Sequence, residues 1–166
     1  MRIGHGYDIH RFEETPTRDY ITLGGVKIPH DRGIVAHSDG DLVIHAICDA
    51  LLGAMALGDI GRHFPDTDPA LKNMDSRIFL RSIMQKVFDG GYVVGNVDVT
   101  IIAQAPRLAP FVDLMRETLA QDLQVSVNEV NVKATTHERL DAIGNKLGIA
   151  AHAVAIVRKT DANITK

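Results

Sequence analysis

Two residues that commonly bind metals, Asp8 and His10, stand two positions apart near the start of the chain. Residues two apart in a strand point to the same face, so this carboxylate and imidazole would lie side by side. Such a pair can chelate a borderline metal such as zinc. A polar edge strand could carry the same two residues without any metal, and the pair alone leaves both interpretations open.

A further histidine, His45, lies in an apolar stretch that follows the polar segment 37–41. A histidine there is either a core residue with a backbone partner or a metal ligand supplied by a helix. Asp41 and Asp49 stand four residues to either side, and either could accept the free N–H of a metal-bound imidazole. This favours the metal. Three protein ligands would leave one position of a tetrahedral zinc open, which is typical of catalytic sites.

Carboxylates, glycines and prolines are concentrated between residues 57 and 69, and residues 61–72 are predicted to form a loop. Carboxylates in such a loop could accept hydrogen bonds from sugar hydroxyls, although an ordinary solvated turn would have the same composition. The segment therefore indicates a ligand only in combination with other motifs.

Two more polar segments, 103–107 and 133–138, each follow a predicted strand. Ligands commonly bind where strands end in loops. Thr135 and Thr136 could donate to phosphate oxygens, and Glu138 could hold a hard divalent cation. Surface charge alone would also explain the basic residues of these segments, so neither is specific by itself.

Alternating strand and helix patterns predict an α+β protein with a mixed sheet, helices packed on one face, and a small hairpin. Ser38 and Asp39 are the expected caps of the first helix, and Gly58 its end. Strands are predicted at 2–10, 97–105, 130–134 and 149–158, the hairpin at 21–23 and 26–28 around Gly24-Gly25, and helices at 39–57, 76–88 and 110–123.

Length and composition indicate one globular domain, residues 1–166, with 45% apolar and 23% charged residues. A net charge of −3 argues against nucleic acid or a membrane surface as the main partner. The single cysteine, Cys48, excludes an intramolecular disulfide and a thiolate metal cage. No membrane span or signal peptide is recognised, so we expect a cytoplasmic protein that acts on a small molecule.

Taken together, the motifs resemble one family. They read R-I-G-H-G-Y-D-I-H, A-H-S-D-G-D-x-x-x-H-A, A-L-G-D-I-G-x-x-F-P-D-T-D-P, D-S-R, N-V-D-V-T-I-I-A-Q-A-P and N-V-K-A-T-T, in this order. This series is similar to the 2-C-methyl-D-erythritol 2,4-cyclodiphosphate synthase family of the non-mevalonate isoprenoid pathway, from residue 2 to about residue 136. The block 36–69 is the most specific part.

The resemblance implies an intramolecular phosphoryl transfer. The 2-phosphate of 4-diphosphocytidyl-2-C-methyl-D-erythritol 2-phosphate would attack its own β-phosphorus, releasing CMP and forming 2-C-methyl-D-erythritol 2,4-cyclodiphosphate. Positioning and charge neutralisation would supply most of the catalysis. The resemblance also implies a four-stranded mixed sheet and a homotrimer whose sites lie between subunits.

Residue roles follow from the same resemblance. Asp8, His10 and His45 match the zinc ligands, and Glu138 matches the residue that meets a second ion, magnesium or manganese. His37 and Thr136 match the groups that stabilise the transition state. The expected substrate contacts are Asp8, Ile9, His10, His37, Ser38, Asp59, Ile60, Gly61, Phe64, Pro65, Asp66, Thr67, Asp68, Ala103, Gln104, Ala105, Pro106, Arg107, Leu108, Ala109, Thr135, Thr136, His137 and Glu138.

The chain departs from the commonest family pattern after Thr136. Ala142 and Asn145 replace an aromatic residue and an arginine that line a cavity on the trimer axis, where family members hold an isoprenoid diphosphate. We therefore expect no such ligand here. His137 and Asp141 resemble the version of this segment found in plant members, which indicates a family variant.

Two other functions remain open from the residues alone. An open zinc site would also serve another zinc-dependent phosphodiesterase or nucleotide hydrolase, in which the metal activates water. The segment 103–107 beside Glu138 favours the synthase, because a generic hydrolase has no need of a cytidine loop. A non-catalytic trimer that binds metal or an isoprenoid is disfavoured by Ala142 and Asn145, and the complete set of metal ligands favours catalysis.

Overall fold

A computed structural model describes residues 1–160 of the chain, and residues 161–166 lie outside the described part. The strands are β1 (Arg2–Arg11), β2 (Tyr20–Leu23), β3 (Val26–Pro29), β4 (Tyr92–Ile102), β5 (Val130–Thr135) and β6 (Gly148–Lys159). The helices are α1 (Leu42–Met55), α2 (Ile60–His63), α3 (Ser76–Asp89), α4 (Val112–Leu123) and α5 (Asp141–Gly144), with single 3₁₀ turns at Pro69–Leu71, Ala109–Phe111 and Val127–Glu129.

Four strands form one mixed sheet in the order β1-β6-β4-β5. Strand β6 is antiparallel to both β1 and β4, whereas β4 and β5 are parallel. Strands β1, β4 and β5 therefore run in the same direction, and their carboxyl ends lie at one end of the sheet. Strands β2 and β3 form the separate hairpin. The predicted four-stranded α+β architecture is confirmed.

Helix α1 packs unusually close to β1 because two glycines of β1 face it. A Cβ added at Gly4 would lie 1.9 Å from the carbonyl oxygen of Ala50, and one added at Gly6 would lie 1.9 Å from that of Ala46. The residues that follow on the same face are Asp8 and His10, since side chains alternate along a strand. The glycines thus bring the helix that carries His45 against the end of β1.

The other face of β1 is open in a single chain. Ile3, Tyr7 and Ile9 are 69%, 45% and 50% exposed. Large apolar side chains on a sheet face are usually covered, and a contiguous group of them marks a surface for association. The helices therefore lie on the face opposite these residues, as expected.

The ends of α1 differ from the prediction. The helix begins at Leu42, and its cap is Asp41, whose Oδ1 accepts the N–H of Ile44 at 3.1 Å. Asp41 also accepts the N–H groups of Gly24 and Gly25 at 2.8 and 2.6 Å. Ser38 and Asp39 were therefore the wrong caps: the hairpin turn, distant in sequence, selects Asp41. At the other end Ala56 is left-handed, so the helix stops before Gly58.

Other boundaries shift by a few residues. Strand β4 begins at Tyr92 rather than at residue 97, with a bulge between Val94 and Asn96, and it ends at Ile102 rather than at 105. The predicted loop 61–72 contains α2 and a 3₁₀ turn, both capped by aspartates. The short helix α5 was not predicted. The turn that leads into it has left-handed backbone angles at residues other than glycine, so no sequence signal marks a turn there.

Candidate active site

The three predicted metal ligands converge at the end of β1. Asp8, His10 and His45 each offer one ligand atom, and these atoms lie within 4.8 Å of one another. Oδ2 of Asp8 is 3.0 Å from Nδ1 of His45 and 3.1 Å from Nδ1 of His10. The arrangement places one carboxylate between two imidazoles, with strand and helix as rigid supports.

The electrostatics of this cluster suit a cation. Burial raises the pKa of Asp8, but the neighbouring imidazoles of His10 and His45 together outweigh burial and lower it to about 2. Burial lowers the pKa of His45, but the contact with Asp8 reverses this and the pKa is raised. The carboxylate therefore stays ionised throughout the neutral range.

One polar atom of the cluster is unsatisfied. Nδ1 of His10 is buried, and although Asp8 lies at ion-pair distance, the nitrogen has no partner with hydrogen-bond geometry among residues 1–160. Buried polar atoms in folded proteins nearly always have a partner. Two imidazoles and one carboxylate are also a common donor set for zinc. On both counts these residues fit a bound metal ion.

The second nitrogen of His45 faces two serine hydroxyls. Nε2 lies 2.9 Å from Oγ of Ser76 and 3.2 Å from Oγ of Ser38. The prediction that Asp41 or Asp49 would accept this N–H is wrong. Asp41 caps α1 and Asp49 lies within it, and both carboxylates accept backbone N–H groups instead, because α1 and α2 begin beside them.

A cavity of about 410 Å³ opens beside the cluster. It contains seven of the predicted substrate contacts besides His10. Three apolar lining residues were missed, and one of them, Phe79, stacks on Phe64 with ring centroids 4.5 Å apart. Its position on the buried face of α3 made it look like an ordinary core residue. The lining is His10, Ala36, His37, Ser38, His45, Ile60, Gly61, Phe64, Pro65, Asp66, Leu71 and Phe79.

Some predicted contacts lie beside this cavity rather than in its wall. Asp59 caps α2 by accepting the N–H of Arg62, and the carboxylate of Asp68 accepts the N–H of Ala70. The carbonyl of Asp68 also lies 3.0 Å from Nε2 of His37 and fixes that imidazole. Thr67 is exposed in the same loop, and the side chain of Ile9 points to the opposite sheet face.

A second cavity, of about 350 Å³, lies at the carboxyl ends of β4 and β5. Its walls include the whole predicted segment 103–109, together with Thr135 and Thr136. Ala134 also lines it and was missed. The Ala105–Pro106 peptide bond in its wall is cis.

Residues 137–141 form an exposed loop beyond this second cavity. Glu138 accepts a hydrogen bond from Oγ1 of Thr136 at 3.2 Å, and His137 pairs with Asp141 at 2.9 Å. Glu138, Arg139 and Asp141 have φ values of 49°, 63° and 50°, a backbone region that side chains disfavour. The loop thus holds a strained shape with little packing around it.

The candidate site is split across the sheet. The first part, called the metal half, consists of Asp8, His10, His45 and the larger cavity. The second, called the loop half, consists of the smaller cavity and residues 135–141. The cavities share no lining residue. Strands β1 and β5 are opposite edges of the sheet, so at about 4.8 Å per strand spacing these two strands are roughly 14 Å apart.

Comparison with known proteins identifies the family. The YgbB family model matches residues 1–158. The chain belongs to the YgbB family. Together with the named relatives that follow, this match confirms the resemblance drawn from the sequence motifs.

Relatives of this YgbB chain carry a consistent name. A protein of Azotobacter vinelandii named 2-C-methyl-D-erythritol 2,4-cyclodiphosphate synthase is 62% identical over 157 residues, covering 95% of this chain and 98% of the relative. The bifunctional IspDF of Campylobacter jejuni is 39% identical with a TM-score of 0.91, and the match covers 96% of this chain but 42% of that longer one. The IspF of Plasmodium falciparum, a CDP complex, is 36% identical with a TM-score of 0.84, over 96% and 97% of the two chains.

The segment that departs from the common family pattern, residues 137–147, is largely exposed. Ala142 and Asn145 are exposed, and neighbouring Leu140 and Leu147 are 67% and 56% exposed. Within residues 1–160, no helix is both long and apolar enough to cross a membrane.

Proposed function

We propose that the protein converts 4-diphosphocytidyl-2-C-methyl-D-erythritol 2-phosphate to 2-C-methyl-D-erythritol 2,4-cyclodiphosphate and CMP. The observation that carries the proposal is the open three-ligand cluster beside a cavity of about 410 Å³, in a chain 62% identical to a named synthase. The reaction is a phosphorus–oxygen cyclisation that needs no protein nucleophile. It belongs to the non-mevalonate isoprenoid pathway.

Asp8, His10 and His45 hold zinc in this proposal, and Glu138 holds a second divalent ion, magnesium or manganese. Bound metal supplies positive charge that polarises the phosphate oxygens. The chain contributes an ionised carboxylate at Asp8, because the two imidazoles keep its pKa at about 2. It also contributes the unsatisfied Nδ1 of His10.

The substrate's two ends match the two cavities. The methylerythritol phosphate end would occupy the metal half, held by His37, Ser38 and the segment 64–68. The ribose would meet the segment 59–61 at the cavity's mouth. The cytosine would enter the smaller cavity, where backbone groups of residues 103–109 can read its edge. Structures of relatives described as CDP complexes support a cytidine nucleotide as ligand.

His37 and Thr136 act directly on the reacting phosphates in this scheme. The imidazole of His37 is fixed by the carbonyl of Asp68 and borders the larger cavity. Thr136 lines the smaller cavity and reaches Glu138. Both can donate to oxygens on which negative charge accumulates, which lowers the barrier without a covalent intermediate.

A homotrimer would join the halves. One chain holds them towards opposite edges of the sheet, while Ile3, Tyr7 and Ile9 leave an apolar face open. We propose that the metal half of one subunit faces the loop half of its neighbour. We further propose one domain over residues 1–166, a cytoplasmic location, no nucleic-acid or membrane partner, and no isoprenoid diphosphate beside Ala142 and Asn145.

Phosphorus NMR tests the reaction. The protein is mixed with the cytidyl substrate, zinc and magnesium, and compared with Asp8→Ala, His45→Ala and the control Asp113→Asn, a side chain 88% exposed on α4. We expect two coupled cyclic diphosphate resonances and CMP from wild type and control. The ligand variants should lose about a thousandfold in rate, since several kcal/mol of charge stabilisation leave with the metal.

Open-chain products would contradict the synthase and favour the other candidate, a zinc-dependent phosphodiesterase or nucleotide hydrolase. Equal rates in the ligand variants and the control would contradict metal dependence.

A further inference from the structure

A chain of hydrogen bonds runs from the metal half into the protein through Ser76. This serine is the first residue of α3 and is fully buried. Its Oγ lies 2.9 Å from Nε2 of His45 and donates to Oδ1 of Asp39. Its N–H donates to Oδ2 of the same carboxylate at 3.1 Å. Ser76 therefore connects His45 to Asp39, although 31 and 37 residues separate it from them.

The direction of these bonds follows from the number of protons available. A carboxylate only accepts, and a hydroxyl has one proton to donate. Because Ser76 gives that proton to Asp39, its oxygen accepts from His45. Nε2 of His45 must then carry a hydrogen that Ser76 holds, so a metal ion would take the place of the hydrogen on Nδ1. Nδ1 is also the nitrogen that faces Asp8 at 3.0 Å.

We propose that Ser76 and Asp39 are positioning residues that fix the ring orientation and tautomer of His45, so that Nδ1 is the metal ligand. The inference rests on the metal site proposed above and adds two residues to it. Metal-bound histidines commonly donate their other N–H to a carboxylate or a carbonyl oxygen, and this raises the basicity of the imidazole. Here a serine hydroxyl lies between the imidazole and the carboxylate.

Ser38 is the competing acceptor for the same N–H. Its Oγ is farther from Nε2, at 3.2 Å, and no carboxylate of residues 1–160 is bonded to it. It accepts only a long contact from the N–H of Gly40, at 3.4 Å. Ser38 also borders the larger cavity, where its hydroxyl is available to substrate. The geometry assigns the permanent partner to Ser76.

An asparagine at position 39 would test the carboxylate without changing its size. Oδ1 accepts from Ser76 Oγ and from the N–H of Asp41, while Oδ2 accepts from the N–H of Ser76. In either orientation the new NH₂ group of Asp39→Asn faces a donor. If it faces Oγ, the hydroxyl must turn and donate to His45, which favours the wrong tautomer.

The first experiment uses the wild-type protein loaded with zinc. Long-range proton–nitrogen correlation spectra of histidine-labelled protein report which ring nitrogen carries hydrogen. We expect hydrogen on Nε2 of His45 and metal on Nδ1. Hydrogen on Nδ1 with metal on Nε2 would overturn the assignment, and this result does not depend on any variant folding.

The second experiment measures zinc affinity by competition with a chelator. Ser76→Ala and Asp39→Asn should each weaken binding 10- to 100-fold, the usual loss when such a partner is removed. The double variant should bind zinc about as tightly as the weaker-binding single variant, because both changes break the same chain of hydrogen bonds. Ser38→Ala and the distant control Ser126→Ala should stay within about twofold.

The outcomes separate this inference from the proposed function. If Ser76→Ala binds zinc as wild type does, the proposed role of Ser76 and Asp39 is wrong while the metal site stands. The same holds if the losses of zinc affinity in Ser76→Ala and Asp39→Asn add in full in the double variant. If wild type binds no zinc, the proposed metal site is wrong, and the proposed role of Ser76 and Asp39 is wrong with it. Circular dichroism of the metal-free variants checks that a lost affinity is not a lost fold.

Discussion

The metal half and the loop half are built from different kinds of structure. In the metal half, a strand and a helix carry the donors, and their side chains are mostly enclosed. In the loop half, residues 135–141 are almost all exposed, and three of them hold left-handed backbone angles. One chain thus completes the metal half alone, whereas the loop half lacks the packing that would normally fix a binding site.

The contrast also explains the glycines of β1. Close contact of α1 with Gly4 and Gly6 is what places His45 beside Asp8, so the metal half is a product of the core. Within the described part of the chain, Glu138 has no comparable core contact, and its side chain bonds only to nearby Thr136. The loop half is therefore expected to acquire its working shape from a neighbouring subunit and from substrate.

Mixed oligomers give the largest expected effect. His45→Ala damages the metal half and Glu138→Ala the loop half, and each variant alone should be nearly inactive. If sites form between subunits, every mixed trimer contains one site with both halves intact. Random mixing of equal amounts should then restore about a quarter of the wild-type sites. Turnover after joint refolding or co-expression measures this.

The matched control is a mixture of His45→Ala with Asp8→Ala, which damages the same half twice and should recover nothing. If the first mixture also recovers nothing although mixed trimers are isolated, each chain contains its own complete site, and the comparison between halves loses its meaning.

Gly6→Ala should disrupt the metal half through the core. The added Cβ would meet the carbonyl oxygen of Ala46, which is backbone and cannot move without α1. We expect a loss of about 3 kcal/mol in the free energy of unfolding, together with weaker zinc binding. Urea denaturation and chelator competition measure the two effects.

Gly53→Ala, on helix α1, is the control for Gly6→Ala. Its Cβ would have only the carbonyl oxygen of His5 nearby, at 4.0 Å. Alanine is a better helix former than glycine, so stability should be unchanged or rise by up to about 1 kcal/mol. A similar loss in both variants would show that helix α1 is sensitive everywhere and that the close approach at Gly6 has no special role.

Sequence spacing located the metal half well, for physical reasons. The period of two placed Asp8 and His10 on one face, and His45 on an apolar helix was recognised as a possible third ligand, whereas its position beside Asp8 depends on the contact of α1 with Gly4 and Gly6. What spacing did not predict was the second partner of His45. Asp41 and Asp49 had the right helical spacing, but backbone N–H groups from the hairpin and from α2 occupy them.

Tertiary contacts decided the rest. Ser76 gave no local signal, because its role depends on α3 starting beside α1 rather than on its neighbours in D-S-R. The separation of the halves depends on β6 lying between β1 and β4, which no short motif encodes. The fold class followed from the alternation of elements, whereas strand order and the division of the site required the structure.

Glu138→Gln should change the magnesium requirement of the loop half and leave zinc binding by the metal half unchanged. The exposed carboxylate makes one hydrogen bond, from Thr136, so unfolding free energy should change by less than about 0.5 kcal/mol and zinc affinity should not change. Turnover should fall about 10- to 100-fold, with a higher magnesium concentration needed for half-maximal rate. Glu129→Gln, in the 3₁₀ turn before β5, is the control. Unchanged magnesium dependence would remove Glu138 from the second-ion site.

The smallest effect is expected from Asp98→Asn on the open side of the sheet. Lys133 donates to this carboxylate and, with Asn131, lowers its pKa against the opposing effect of burial. Both side chains of the ion pair are nearly half exposed, so solvent screening limits its contribution to less than about 1 kcal/mol.

A depressed carboxyl pKa stabilises the fold above its unfolded value, and that contribution disappears as the pH falls through the folded value. The stability difference between wild type and Asp98→Asn should therefore be constant near neutrality and shrink as the pH falls below about 4. It should also shrink in 1 M salt, where the Debye length is about 3 Å. Urea denaturation across this range measures both trends. A difference above about 2 kcal/mol at neutral pH, insensitive to salt, would mean that the open side of the chain is as tightly organised as the metal half, since only well-desolvated pairs contribute so much.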